Sequence, residues 1–548
     1  VTLADRNPSP AASPLALACL VLALAALALV AGLVRVPPLL DYPNHLARIE
    51  LFAGDIDAAP LSSIYAQDWS GAATNIGVDL LAATLGRLIG GEVLAKLLLA
   101  AALVLPPLGA AVLNRVVFGG WHWWQVGFVL LAWNTTMLAG FLNFQVGLGL
   151  SLLAAAATVA IHRRAGPRAS LPALVLVGCA LMVWHVFAVA FYGALVAGLA
   201  FGASGRPVLP ALLRGAIAAF LAVGVPVGLF LLLAPAVPGG YAPPEAFHSW
   251  TDGYTLRNKL NVLRTAILTY DQAVDVAFML ALALPVGVAV ARWAAARAEA
   301  LPVHAGLAIA ALALGALAIL VPSDVAGTGF VDWRMPIMAV LTAVAAIRPG
   351  LGRSPRLQAA AACALLVLAL GRTGWHAGIW QERQADIASV ERSLSRVPVG
   401  AAVLPVEHRP PYGTPAPRGR YFYFAGISSG SHVPSLAVPW RQAFVPTLFA
   451  TPGKQPLRVR EPWQAFATPE GLAAPVDYLT RFEETPETRY FYGFARNWQE
   501  HFDYVLVINA DLPHRAGDGT PPELELIADE GFTKLYRTPR AARLAGGG

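Results

Sequence analysis

Long apolar runs, each close to the length that crosses a bilayer and separated by short loops carrying arginine, fill the chain from its beginning to about residue 371. A hydrocarbon core needs about 20 residues of helix to cross it, and within it every backbone N–H and C=O must be satisfied inside the segment. This part of the chain is therefore read as a bundle of membrane-spanning helices. Composition agrees: 13% of the residues are charged and 57% hydrophobic, against about 25% charged in an ordinary soluble domain. The runs predict about eleven spans, near 15–34, 93–113, 122–139, 141–161, 171–186, 188–203, 211–234, 274–292, 301–321, 334–347 and 356–371. The first run is longer than a signal-peptide core and lacks a small-residue cleavage site before Arg35, so it is expected to be retained. Cys19, Cys179 and Cys363 lie inside apolar runs, which argues for packing and against a disulfide framework or a thiolate metal site.

The net charge of +6 does not point to nucleic acid, because the basic residues fall mainly in the short loops. Their placement orients the chain. Ile76 to Gly90 is either a short span or a helix lying on the membrane surface. The surface option gathers Arg115, the loop 162–168, Arg206 with Arg214, Arg292 with Arg297, and Arg348, Arg353 and Arg356 on the cytoplasmic side, and charge bias selects it. The internal Asp79 and Arg87 agree with a surface helix. The loop 36–75 and everything after residue 371 then lie outside the cytoplasm. Alanine-rich usage points to a bacterium with a GC-rich genome, and so to its inner membrane.

From residue 372 to 548 prolines, charges and aromatics rise and long apolar runs stop. Strand-like stretches at 402–405, 420–424, 504–508 and 532–537, separated by Gly, Pro and Asp turns, predict a soluble domain of mixed α/β character. The expected organisation is a transmembrane domain over 1–371 and an extracytoplasmic domain over 372–548.

Polar residues suited to chemistry gather on the extracytoplasmic side. In Leu40 to Phe52 (LDYPNHLARIELF), Asp41, His45 and Arg48 stand at i, i+4 and i+7, which predicts an amphipathic helix with one polar face. Asp41 suits a helix cap. It equally suits a base whose acidity is tuned by desolvation and by a neighbouring cation. His45 and Arg48 fit contact with a phosphate or sugar, and equally fit side chains reaching toward lipid head groups. Arg334, in Asp332-Trp-Arg334, suits a phosphate because guanidinium is a fork of donors; Asp332 either joins it or neutralises it. His185 at a span end and Asn143 in GFLNF are further candidates for the same cavity. Glu245, His248, Asp252, Arg257 and Lys259 of the long loop have no diagnostic spacing. A metal ion between Asp41 and His45 would have helix-compatible spacing, though two ligands do not make a site. The chain carries no HExxH, P-loop or GxSxG pattern.

The layout of one span, a loop opening on an acid, a second surface helix (NIGVDLLAATLGRLIGGE), many spans and a C-terminal soluble domain resembles the GT-C superfamily of integral-membrane glycosyltransferases, such as protein O-mannosyltransferases and the aminoarabinose transferases of lipid A. The sequence part of the likeness rests on LLDYPNHLARIELF, GFLNF and DWRMP. The resemblance implies sugar transfer, generally with inversion, from a polyprenyl-phosphate donor to a cell-envelope glycan, lipid or protein acceptor. It makes Asp41 the general base and places the donor phosphate near Arg334. The loop departs from many members in carrying one acid where they carry two in succession. The rival readings are a transporter or flippase of a lipid-linked substrate and an inactive scaffold. Midplane charges and paired halves, which mark transporters, are not seen in the sequence.

Overall fold

The computed structural model describes residues 13–72, 74–202, 207–233, 248–249, 255–296, 302–325, 328–351, 354–411, 413–422, 427–517 and 519–546. Arg206, Glu245, Asp252, Arg297 and Arg353 lie outside them. The structure is a helical bundle joined to a C-terminal region with a sheet. Among the described residues, seven helices are long and apolar enough to cross a membrane: Pro14–Leu33, Gly91–Phe118, Leu142–Ala165, Pro167–Trp184, Val208–Leu233, Gln272–Arg292 and Pro355–Leu394. Three shorter helices, Trp123–Ala132, Val186–Gly202 and Ala305–Leu320, are also apolar, and a further helix runs over Val331–Ala345.

The helices used below are α1 (Pro14–Leu33), α2 (Tyr42–Ala53), α3 (Gly77–Leu81), α4 (Gly91–Phe118), α5 (Leu142–Ala165), α6 (Pro167–Trp184), α7 (Val186–Gly202), α8 (Gln272–Ala296), α9 (Ala305–Leu320), α10 (Val331–Ala345), α11 (Pro355–Glu382) and α12 (Gln384–Leu394). Ser13 caps α1, with its hydroxyl accepting from Ala16 N at 3.2 Å, and Pro14 at the first position sacrifices no helix bond. Small residues let the helices approach: a Cβ on Gly149 of α5 would stand 2.3 Å from the Leu105 Cβ of α4.

The stretch expected as a span at 122–139 has a different form. It is a 3-10 helix, Trp123–Ala132, followed by the short helix Thr135–Leu138, and every residue of both is buried. At about 2 Å per residue the tighter spiral stretches these bulky residues further than an α-helix would. Trp124 donates to Val344 O at 3.2 Å, and Asn114 Nδ2 donates to Ala345 O and Ile347 O at 3.0 and 2.9 Å.

The segment after residue 76 is α3, a π turn (Ala82–Gly86) and a final turn (Arg87–Ile89). Thirteen residues reach only about 20 Å, too short to cross. Leu80, Leu85, Leu88 and Ile89 are exposed on it. Arg87 is exposed and pairs with Asp57 at 2.8 Å, whereas Asp79 is buried.

Helix α11 runs through positions 371 and 372, so the compositional change falls inside it. At about 42 Å it outreaches a bilayer core and carries the chain through α12 into the C-terminal region. The strands used below are β1 (Tyr65–Gln67), β2 (Val403–Glu407), β3 (Leu457–Val459), β4 (Ala474–Pro475), β5 (Tyr504–Ile508), β6 (Glu525–Asp529) and β7 (Thr533–Arg537). The main sheet has the order β4-β2-β5-β7-β6, with β2 parallel to β4 and β5 and the last two strands antiparallel. Every residue of β2 and β5 is buried, as befits strands covered on both faces. The stretch expected as a strand at 420–424 contributes only a Tyr421–Ser428 bridge, and 423–426 lie outside the described residues.

Loop 36–75 and the C-terminal region are joined. Strand β1 pairs antiparallel with β3, Tyr65 opposite Val459. Asn44 on α2 clamps the backbone of 447–449, its Nδ2 donating to Thr447 O at 2.9 Å and its Oδ1 accepting from Phe449 N at 2.8 Å. Both therefore sit on one side of the bundle.

Candidate active site

The loop Leu138–Gly140 fixes where α2 begins. Leu40 N donates to Leu138 O and Asp41 N to Ala139 O, both at 3.1 Å. Gly140 has φ +76, and a Cβ there would stand 2.9 Å from the backbone nitrogens of Asp41 and Tyr42. Only glycine combines that backbone angle with so close an approach. Asp41 occupies the cap position of α2, yet its side chain makes no capping hydrogen bond. The carboxylate is instead 3.5 Å from His432 Nε2 of the C-terminal region, with 15% of the Asp41 side chain exposed.

Helix α2 is not the two-faced helix its spacing predicts. Asn44, His45 and Arg48 are buried along with its apolar residues, because the face that would meet water is covered by segment 432–449. The His45 ring meets Phe449 edge-on at 5.8 Å, and Phe449 meets His432 edge-on at 5.1 Å. Arg48 is ion-paired with the buried Asp79, which binds α3 to α2. Its guanidinium is thereby engaged by protein.

Asn143 accepts from Val78 N at 3.0 Å and donates to Asn75 O at 3.1 Å, holding the entry to α3 on α5. His185 lies between α6 and α7, where its Nδ1 accepts from Phe187 N at 3.0 Å. Asp332 is buried, with Lys259 Nζ at 2.5 Å and Ser323 Oγ at 3.0 Å, so its charge is met by Lys259 rather than by Arg334. Arg334 donates through Nη1 to Gly329 O at 2.6 Å and Phe330 O at 2.8 Å. Its guanidinium lies over Phe141 at 4.5 Å and near Phe187 at 5.0 Å, and its buried Nε has no hydrogen-bond partner among the described residues. Phe330 holds φ +56, a strained setting for a bulky residue, in the turn whose carbonyl Arg334 takes. Arg334, Phe141, Phe144, Phe187 and His185 form one aromatic nest.

Burial acts strongly on Asp41. Burial pushes its carboxyl up to about 8, with Arg334 opposing the rise and Glu470 adding to it. Burial holds His45 down at about 3, helped by Arg48 and His432, and burial does the same to His432. Both imidazoles are neutral near pH 7. Among the described residues no three His, Cys, Asp or Glu side chains come together as a metal site.

No family model, no curated protein and no solved structure matches the chain.

Of the residues singled out from sequence, the structure brings Asp41 and His45 together at the junction, with Arg334 near enough to act on Asp41 electrostatically. It engages Arg48, Asn143 and Asp332 in contacts that hold the protein together. Sequence reasoning missed His432, Phe449, Asn44 and Glu470; nothing in a single sequence pairs residues so far apart. A separate apolar cavity of about 590 Å³ lies between the 3-10 helix, α8, α9 and α10, lined by Trp124, Met279, Leu282, Leu312 and Val340 among others. The α10 residues that line it stand about half a turn around that helix from Arg334, on its far side from the Asp41 junction.

Proposed function

We propose that this protein is an extracytoplasmic membrane glycosyltransferase that moves a sugar from a polyprenyl-phosphate donor to a hydroxyl of a cell-envelope acceptor. The observation that supports the reading best is Asp41: a carboxyl at a helix cap that does no capping, desolvated between the bundle and the C-terminal region, with a guanidinium nearby. The proposal takes the eleven apolar segments as spans and places loop 36–75 and the C-terminal region outside the cytoplasm by the charge bias of the opposite loops.

In the reaction Asp41 takes the proton of the acceptor hydroxyl as that oxygen bonds to the anomeric carbon. The bond from the anomeric carbon to the phosphate oxygen breaks, and the lipid phosphate leaves with the electron pair. Arg334, with its Nε unengaged and its plane set by Phe141, stabilises the departing phosphate. Arg48 is left out of the site because Asp79 holds it. A flippase reading has less support, since the acids of the buried Lys259–Asp332 and Arg372–Asp275 pairs sit in the first turns of α10 and α8 rather than at mid-helix.

The test is cell-envelope glycan analysis of a strain lacking the gene, with and without the wild-type gene restored. Loss of one sugar from an envelope polymer, recovered on restoration, is the expected result. An unchanged sugar inventory overturns the proposal.

A further inference from the structure

We propose that His432 is a positioning residue for Asp41: its Nε2–H donates to the carboxylate, favouring its ionised form and aiming it at the acceptor, so that the base of the transfer is a pair assembled from the bundle and the C-terminal region. The inference rests on the glycosyl-transfer reading above.

The geometry carries it. His432 is 2% exposed, and its Nε2 faces Asp41 Oδ1 at 3.5 Å. Its other nitrogen, Nδ1, is buried without a hydrogen-bond partner among the described residues. A neutral imidazole has one N–H and one bare nitrogen, and a buried N–H without an acceptor costs more than a bare nitrogen in an apolar setting. The single proton therefore belongs on Nε2, toward Asp41. The ring is held edge-on by Phe449, and Asn44, three residues from Asp41, grips the Phe449 backbone. The distance is long for a closed bond, as is common before substrate arrives. The other charged or titratable groups acting on the pair are Arg334 from α10, Glu470 from the C-terminal region, and His45 with Arg48 beyond it on α2.

A donor to the carboxylate favours its ionised form, so removing the donor makes Asp41 harder to ionise. The experiment follows sugar incorporation into the envelope, in the strain lacking the gene, across medium pH 6 to 9 for wild type, His432→Ala and His432→Gln at matched expression. His432→Ala is expected to lower the rate at pH 7 by at least about tenfold and to move the rise of activity toward alkaline pH by about one unit. His432→Gln keeps an N–H donor and is expected to recover most of the rate and the wild-type profile. A His432→Ala profile that superimposes on wild type, or a loss equal at every pH that Gln does not relieve, overturns the proposal. If His432→Ala does not accumulate, the Gln profile and a spectrum decide. In ¹⁵N-histidine NMR of the purified protein at about pH 9, where Asp41 is ionised, the His432 signals, assigned by their loss in His432→Gln, are expected to report the Nε2–H form and to shift in Asp41→Asn. An Nδ1–H form, or signals indifferent to Asp41→Asn, overturns it. Should wild type restore no sugar, the glycosyl-transfer reading falls and the spectrum alone judges the pair.

Discussion

Replacing Asp41 by Asn separates what the carboxyl does for chemistry from what it does to stability, and the two are expected to move in opposite directions. In the folded protein the carboxyl is raised from its ordinary 3.8 to about 8, chiefly by burial. The folded state therefore binds this proton more tightly than the unfolded chain does. Stability from this group is intact below pH 3.8 and is lost progressively as pH climbs to about 8. At about 1.4 kcal/mol per unit, the destabilisation reaches about 2 kcal/mol at pH 5 and about 4 kcal/mol at pH 7, and levels off near 6 kcal/mol above pH 8. An amide of the same shape never ionises, so those figures bound the stabilisation that Asp41→Asn confers. The assay is thermal unfolding of the detergent-solubilised protein, wild type against Asp41→Asn, from pH 4 to 9. The variant should melt higher by several degrees at pH 7 to 8, with a difference that shrinks to nothing near pH 4. A variant that melts lower, or a difference that ignores pH, would refute the claim that Asp41 is a desolvated carboxyl.

Other consequences follow from single contacts. Breaking the buried Arg48–Asp79 pair with Arg48→Gln should cost about 3–5 kcal/mol, and replacing both partners by apolar residues should recover most of it; thermal melts of the three variants check this. Asn44→Ala removes both hydrogen bonds that fasten 447–449 to α2 and should cost about 2–3 kcal/mol, visible as faster protease cleavage of the C-terminal region. Arg334→Lys loses the fork that serves Gly329, Phe330 and the leaving phosphate, so transfer should fall by about one to two orders of magnitude. Because Arg334 opposes the rise at Asp41, Arg334→Gln should also shift the activity profile toward alkaline pH, read in the envelope sugar assay.

The helices were legible because lipid leaves a chain few options, and apolar runs mark them directly. The 3-10 form of Trp123–Ala132 was not, since its residues are as apolar as those of any span and only packing decides its pitch. Asp41 and Arg334 could be singled out because each is a charge beside a long apolar run. The role of their neighbours could not be read. Asp79 looked like a residue of a wet surface, yet it is buried against Arg48. His45 looked like part of a polar face, yet Phe449 covers it. Asp332 looked like a partner for Arg334, and Lys259 takes it instead. In each case the deciding contact comes from a distant part of the chain, and periodicity within one helix holds no record of it. The same holds for His432, whose place beside Asp41 depends on how the C-terminal region docks.

The most direct test of the account is sugar restoration by Asp41→Asn. In the strain lacking the gene, wild type and Asp41→Asn are expressed at matched levels in the membrane and the envelope sugars are quantified. Wild type is expected to restore the missing sugar, and Asp41→Asn, though at least as stable, to restore almost none. Full restoration by Asp41→Asn would contradict it, because the base of the transfer would then lie elsewhere.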